Sequence, residues 1–154
     1  MEMNSAHPMT GYVHGMYALH AIAGLIGITS GATIIGAFVF GLPSIIAIVM
    51  NYARRDEVRG TWLDSHFEWQ RRTFWSAVIV GLAIFALAFV LSIFGVLSLA
   101  STPVTGGAGA LGAGAAFGGA WLSLAFGALL AGVWILYRVI RGWLALNSGK
   151  AMYG

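Results

Sequence analysis

The chain has 154 residues, 59% of them hydrophobic and 8% charged, with a net charge of +3 and no cysteine. A soluble domain carries about 25% charged residues, so a water-soluble globule is excluded, and the missing cysteines exclude disulfides, thiolate metal sites and thiol catalysis. The eight basic residues flank apolar runs and read as membrane topology signals, not as a nucleic-acid surface.

Residues 1–10 form a polar tail with Pro8 as a breaker, without the basic start and apolar core of a signal peptide, so the first helix is expected to stay. GYVHGMYALHAIAGLIGI, residues 11–28, is a first membrane span, with Tyr12 and Tyr17 suited to the interface. The run Thr29–Thr33 is a tight turn, and Ile34 to Ala53 is a second span. Gly41 and Pro43 predict a kink or break within it, because proline removes a helical N–H. A rival reading runs one helix through to Phe40 and leaves Ser44–Ala53 as a short re-entrant or interfacial piece. That helix would exceed the usual span unless strongly tilted.

A charged hinge follows, Arg54 to Trp75, RRDEVRGTWLDSHFEWQRRTFW, and it holds nine of the thirteen formally charged side chains. Gly60 breaks the chain, and Thr61-Trp62-Leu63-Asp64 has the capping-box pattern that starts a helix near Trp62. Glu68 sits at helical pairing distance from Arg71 and Arg72. The third span covers about residues 70–100. The Gly/Ala-rich stretch 104–119 reads as a flexible loop after Pro103, and a fourth span covers about 120–140. The fold class is therefore all-α: an integral membrane four-helix bundle over residues 11–146 with a cytoplasmic hinge between helices 2 and 3. A short tail, 147–154, ends the chain.

With four spans, all eight cations (Arg54, Arg55, Arg59, Arg71, Arg72, Arg138, Arg141 and Lys150) fall on one side, together with both termini. The positive-inside rule makes that side the cytoplasm.

Four histidines, at 7, 14, 20 and 66, are the main candidates for chemistry. His20 stands about three turns into its helix, where an ionisable residue is a functional hypothesis by default. His66, Gln70 and Thr73 share one helical face and make a polar stripe entering the membrane. His20 and His66 on neighbouring helices would hold a b-type haem through two imidazoles, or line a quinone pocket. The alternative is that both act as interhelical glue, which is the commoner use of a lone polar residue. No other cofactor and no metal site is indicated.

The hinge residues Arg54, Arg55, Arg59, Arg71 and Arg72, with Trp62, Trp69 and Gln70, form a contact set. It serves anionic lipid headgroups or docks another membrane subunit on tryptophan anchors. All five acids, Glu2, Asp56, Glu57, Asp64 and Glu68, lie outside the membrane core. That argues against an ion-driven carrier but leaves a passive pore open.

YALHAIAG (Tyr17–Gly24), FGLPSIIAIVMNYARRDEVRGTW (Phe40–Trp62) and LDSHFEWQRRTFW (Leu63–Trp75) carry a resemblance over about Tyr17 to Ala100. The chain resembles a group of small proteobacterial membrane proteins of unknown function. That group is related to the bacterial family similar to the channel component of the chloroplast inner-envelope import translocon. The resemblance implies four helices with a histidine and a glutamine at the start of the third, here His66 and Gln70. The Gly/Ala-rich stretch and the fourth span fall outside it.

Three functions are expected from these features. The first is a non-enzymatic accessory or scaffold subunit of a larger membrane complex, of the import-component-like kind. The second is a haem or quinone redox subunit using His20 and His66. The third is a small pore or carrier made by homo-oligomerisation.

Overall fold

The computed structural model describes residues 7–29, 34–100 and 107–153. Five helices occur among them: α1 (Thr10–Thr29), α2 (Ile34–Ala53), α3 (Arg55–Val58), α4 (Trp62–Ala100) and α5 (Gly107–Asn147). The described residues form helices and turns only. Three segments are long and apolar enough to cross a membrane: Thr10–Thr29, Trp62–Ala100 and Ala110–Asn147. α2 is a 20-residue helix without a charged side chain, and it runs through Pro43 without ending. The turn expected between the first two helices lies mostly at residues 30–33, outside the described residues.

The Gly/Ala-rich stretch is the main correction. From Gly107 onward it is α-helix and forms the first turns of α5, not a flexible loop. Glycine costs roughly 1 kcal/mol per residue in a helix interior, and packing overrides that cost here. A Cβ placed on Gly95 of α4 would meet the Phe117 ring at 3.0 Å, and one placed on Gly127 would meet Ile84 at 2.7 Å. Small residues let the two helices approach closely, as in membrane helix pairs.

Those contacts fix the topology. Gly95 faces Phe117, Ile84 faces Gly127 and Thr73 meets Arg138, so α4 and α5 run antiparallel. Gly24 against Leu136, Ile28 against Gly132 and Tyr17 against Gly142 make α1 antiparallel to α5 as well. In α2, Asn51 donates from Nδ2 to the Phe67 carbonyl at 2.9 Å, and the Tyr12 hydroxyl of α1 donates to Met50 O at 2.9 Å. With 39 and 41 residues, α4 and α5 are each roughly 60 Å long at 1.5 Å per residue. That is about twice the hydrocarbon thickness.

The buried core gathers at the charged end of the hairpin. Val13, Met16 and Tyr17 of α1 meet Val58, Leu63 and Phe67, with Ile135, Val139 and Leu146 of α5. Farther along, Leu82, Phe85 and Phe94 of α4 and Leu111, Leu122 and Phe126 of α5 are exposed. A soluble monomer rarely shows so large an apolar surface; lipid or another helix is its natural cover.

The hinge contains one turn of helix, α3, and then turns at Gly60 with φ +77°. α4 starts at Trp62 as expected, but not by a capping box. The Thr61 hydroxyl donates backward to Val58 O at 2.6 Å, and the Asp64 N–H donates to the Thr61 carbonyl at 3.1 Å. Nothing stands near a Cβ at Gly60, so Gly60→Ala isolates the backbone cost. It should destabilise the protein by about 1–2 kcal/mol, the left-handed penalty for an L-residue. Denaturation in mild detergent checks this, and an unchanged midpoint would show that the turn relaxes freely.

Candidate functional site

The first turns of α4 place His66, Gln70 and Thr73 on one face, at i, i+4 and i+7. All three are buried, with 0%, 1% and 4% exposure. The predicted polar stripe therefore exists, and it is turned into the protein. Tyr17 and His20 of α1 and Arg138 of α5 join it, a seam between three helices.

His66 is held at both ring nitrogens. Nδ1 lies 2.9 Å from the Tyr17 hydroxyl, and Nε2 lies 2.9 Å from the Lys150 carbonyl oxygen. A carbonyl only accepts, so Nε2 carries the proton, and in a neutral ring Nδ1 then accepts from Tyr17. The ring also stands edge-on to Trp62 and Tyr17. The Lys150 bond folds the C-terminal tail back onto α4, where the Met152 N–H donates to the Ser65 hydroxyl at 3.0 Å.

Thr73 donates to the Trp69 carbonyl at 2.8 Å and accepts from Arg138 Nε at 2.7 Å. The Trp69 indole donates to the Arg138 carbonyl at 3.1 Å, and the Arg138 guanidinium lies 3.8 Å from the Trp69 ring centre. A cation over a tryptophan face, partly shielded from water, is stabilised by the ring quadrupole. About one turn earlier on α1 than Tyr17, His14 Nδ1 accepts from the Trp143 indole at 2.8 Å.

Tyr17, His20, Trp69, Gln70, Thr73 and Val139 line a cleft too narrow as it stands to seat a water molecule. His20 Nε2 and both amide atoms of Gln70 are buried there without a hydrogen-bond partner among the described residues. Gln70 lies beside the Tyr17 hydroxyl, but that proton is committed to His66. Asn51 Oδ1 is also unpartnered. An unsatisfied buried polar group costs about 1–3 kcal/mol. Gln70→Leu removes that cost at similar volume, so it should leave stability unchanged or raise it by about 1–2 kcal/mol. Thermal unfolding of the detergent-purified variant checks this. A fall in midpoint would mean that Gln70 is satisfied in the membrane.

The expected histidine pair is thus asymmetric. His20 keeps a free nitrogen, whereas neither nitrogen of His66 is open to a haem iron in this arrangement. Among the described residues no group of three His, Cys, Asp or Glu is placed to hold a metal.

The contact set also divides. Trp69 and Gln70 are placed by their sequence context in a partner or lipid surface; the structure buries both, Trp69 at 8% exposure. The reason is helical phase: they share the inward face with His66 and Thr73. Trp62 is half-buried against His66, and Arg54, Arg59 and Arg72 stay exposed. Arg54 pairs with Glu57 at 2.5 Å, Arg59 with Asp56 at 3.6 Å and Arg72 with Glu68 at 2.6 Å. The Glu57 hydrogen bond raises the Arg54 pKa above its ordinary value. Such exposed pairs add little stability.

Sequence reasoning missed Tyr17, Arg138 and the Lys150 carbonyl as parts of the site. Arg138 had a usable signal: it ends the charge-free run that begins at Thr73, and an antiparallel hairpin brings those two ends together. The Lys150 carbonyl had none, since a backbone atom carries no side-chain signature.

No protein-family model, no curated protein and no solved structure matches the chain.

Proposed function

We propose that this is an integral protein of a bacterial inner membrane, of the import-component-like kind, built as a four-helix bundle. Both termini and the charged hinge lie in the cytoplasm. It acts as a non-enzymatic accessory or scaffold subunit of a larger membrane complex. The observation that supports this best is the use of the reactive side chains. Tyr17 and His66 are bonded to each other, His66 also to the tail, and Thr73 to Arg138 of α5. Outward the chain presents apolar helix and an arginine-rich end, suited to partner helices and anionic headgroups.

Extraction from the native membrane in mild detergent tests the reading. The expected result is a complex of fixed stoichiometry with larger subunits. Recovery of the chain alone or as a homo-oligomer rejects the subunit role, and flux from the pure protein in liposomes would then favour a pore. For the topology, a reporter fused after Arg59 should be active only in the cytoplasm; periplasmic activity overturns it.

A second reading, a redox cofactor module at His20, draws on the free His20 Nε2 and Gln70 amide; haem b through both imidazoles would further require His66 to give up Tyr17 or Lys150. It requires a cofactor absorbance in the purified protein that disappears in His20→Ala.

A further inference from the structure

The longest charge-free run of the chain extends from Thr73 to Tyr137. Its two ends come together where Arg138 Nε donates to the Thr73 hydroxyl at 2.7 Å. Arg72 therefore adjoins one end of the run and Arg138 and Arg141 the other, on antiparallel helices. Trp69 sits between them: the Arg138 guanidinium is 3.8 Å and the Arg141 guanidinium 5.4 Å from its ring centre. Arg72 lies 5.5 Å from the ring centre of Tyr153, which itself contacts Trp69 edge-on. Arg72 and Arg141 are both close enough to act on Arg138 electrostatically.

The charges do not balance. Glu68 pairs with Arg72, and no carboxylate among the described residues pairs with Arg138 or Arg141. Among the described residues, three cations therefore share one acid. The Arg138 terminal nitrogens make no hydrogen bond to a described residue, although Nε is bonded and the ring face is covered. Guanidinium forks match phosphate oxygens well. One or two turns toward the apolar side, Ile79 and Val133 are exposed, 66% and 54%. A ligand that satisfies both features carries a phosphate at the arginines and hydrocarbon along the helices.

We propose that Arg72, Arg138 and Arg141, gathered around Trp69, form a binding site for the phosphate headgroup of an anionic phospholipid at the cytoplasmic boundary, with its acyl chains on the exposed flank of α4 and α5. The site rests on the membrane reading above. It differs from diffuse attraction by the hinge arginines because it has a fixed location.

The test titrates the detergent-purified full chain with phosphatidylglycerol and follows tryptophan fluorescence. Phosphatidylcholine and inorganic phosphate are the comparison ligands. Saturable binding of phosphatidylglycerol alone is expected. Arg141→Gln, an exposed position, should weaken it about fivefold, the effect of one basic residue near an anionic surface. Arg72→Gln, on the other helix, should do the same, and Arg59→Gln on the hinge should leave it unchanged. Equal weakening by Arg59→Gln overturns the site in favour of diffuse attraction. Equal affinity for inorganic phosphate overturns the lipid in favour of a free anion. A chain that stays soluble and monomeric without detergent removes the membrane reading itself.

Discussion

His66→Ala should destabilise the bundle by roughly 2–4 kcal/mol, the range for truncating a large buried side chain and orphaning its partner. The hydrogen bonds alone do not supply that figure. Interhelical hydrogen bonds in membrane proteins average only about 0.6 kcal/mol, because the separated helices find other partners. The larger contributions are the cavity and the orphan. His66 has 0% exposure, so its ring leaves a void. The Tyr17 hydroxyl, on a side chain with 1% exposure, loses its acceptor and must turn to the Gln70 amide beside it or stay unpaired. The Lys150 carbonyl turns to water at little cost, since Lys150 is exposed. Tyr17→Phe removes one hydroxyl and no volume from the core, so it should cost about 1 kcal/mol. The double variant should cost less than the sum, because the orphaned hydroxyl is gone. Denaturant titration followed by tryptophan fluorescence reads all three, since Trp62 stacks edge-on against His66. A His66→Ala variant within a few tenths of a kcal/mol of the native protein would show that the seam is not a structural element.

The helices were legible because hydropathy and charge act locally. The limits of α2 and the start of α4 follow from the apolar run to Ala53 and the glycine at 60, with no tertiary information. The stripe His66, Gln70 and Thr73 was legible from phase alone. Its direction was not, because a polar stripe can face a partner, water or the core, and only packing decides among them. Trp69 shows the same gap: its indole is as suited to a membrane boundary as to the guanidinium of Arg138. The Gly/Ala-rich stretch was misread for a different reason. Glycine's intrinsic preference argues for a loop, and the fit of Phe117 against Gly95 outweighs it.

Gly142→Ala should be destabilising by about 1–2 kcal/mol, although the usual rule for a helix interior predicts a gain. Alanine gains roughly 1 kcal/mol over glycine in helix propensity. Against this stands a clash. A Cβ at position 142 would lie 2.5 Å from the Tyr17 hydroxyl oxygen, 2.7 Å from Cε1 and 2.8 Å from Cζ. The ring cannot yield cheaply, because it is buried and its hydroxyl is bonded to His66. Overpacking of that kind costs typically 1–3 kcal/mol, and moving the ring also breaks the His66 bond. The overpacking therefore wins. Gly114→Ala, on the same helix with nothing near its Cβ, lacks the clash and should be stabilising by up to about 1 kcal/mol. Opposite signs at two glycines of one helix separate packing from propensity. A Tyr17→Phe background gives the last check. It deletes the nearest clashing atom, so Gly142→Ala should cost less there than in the native protein. An identical cost in both backgrounds would show that Tyr17 is not what forbids a side chain at 142.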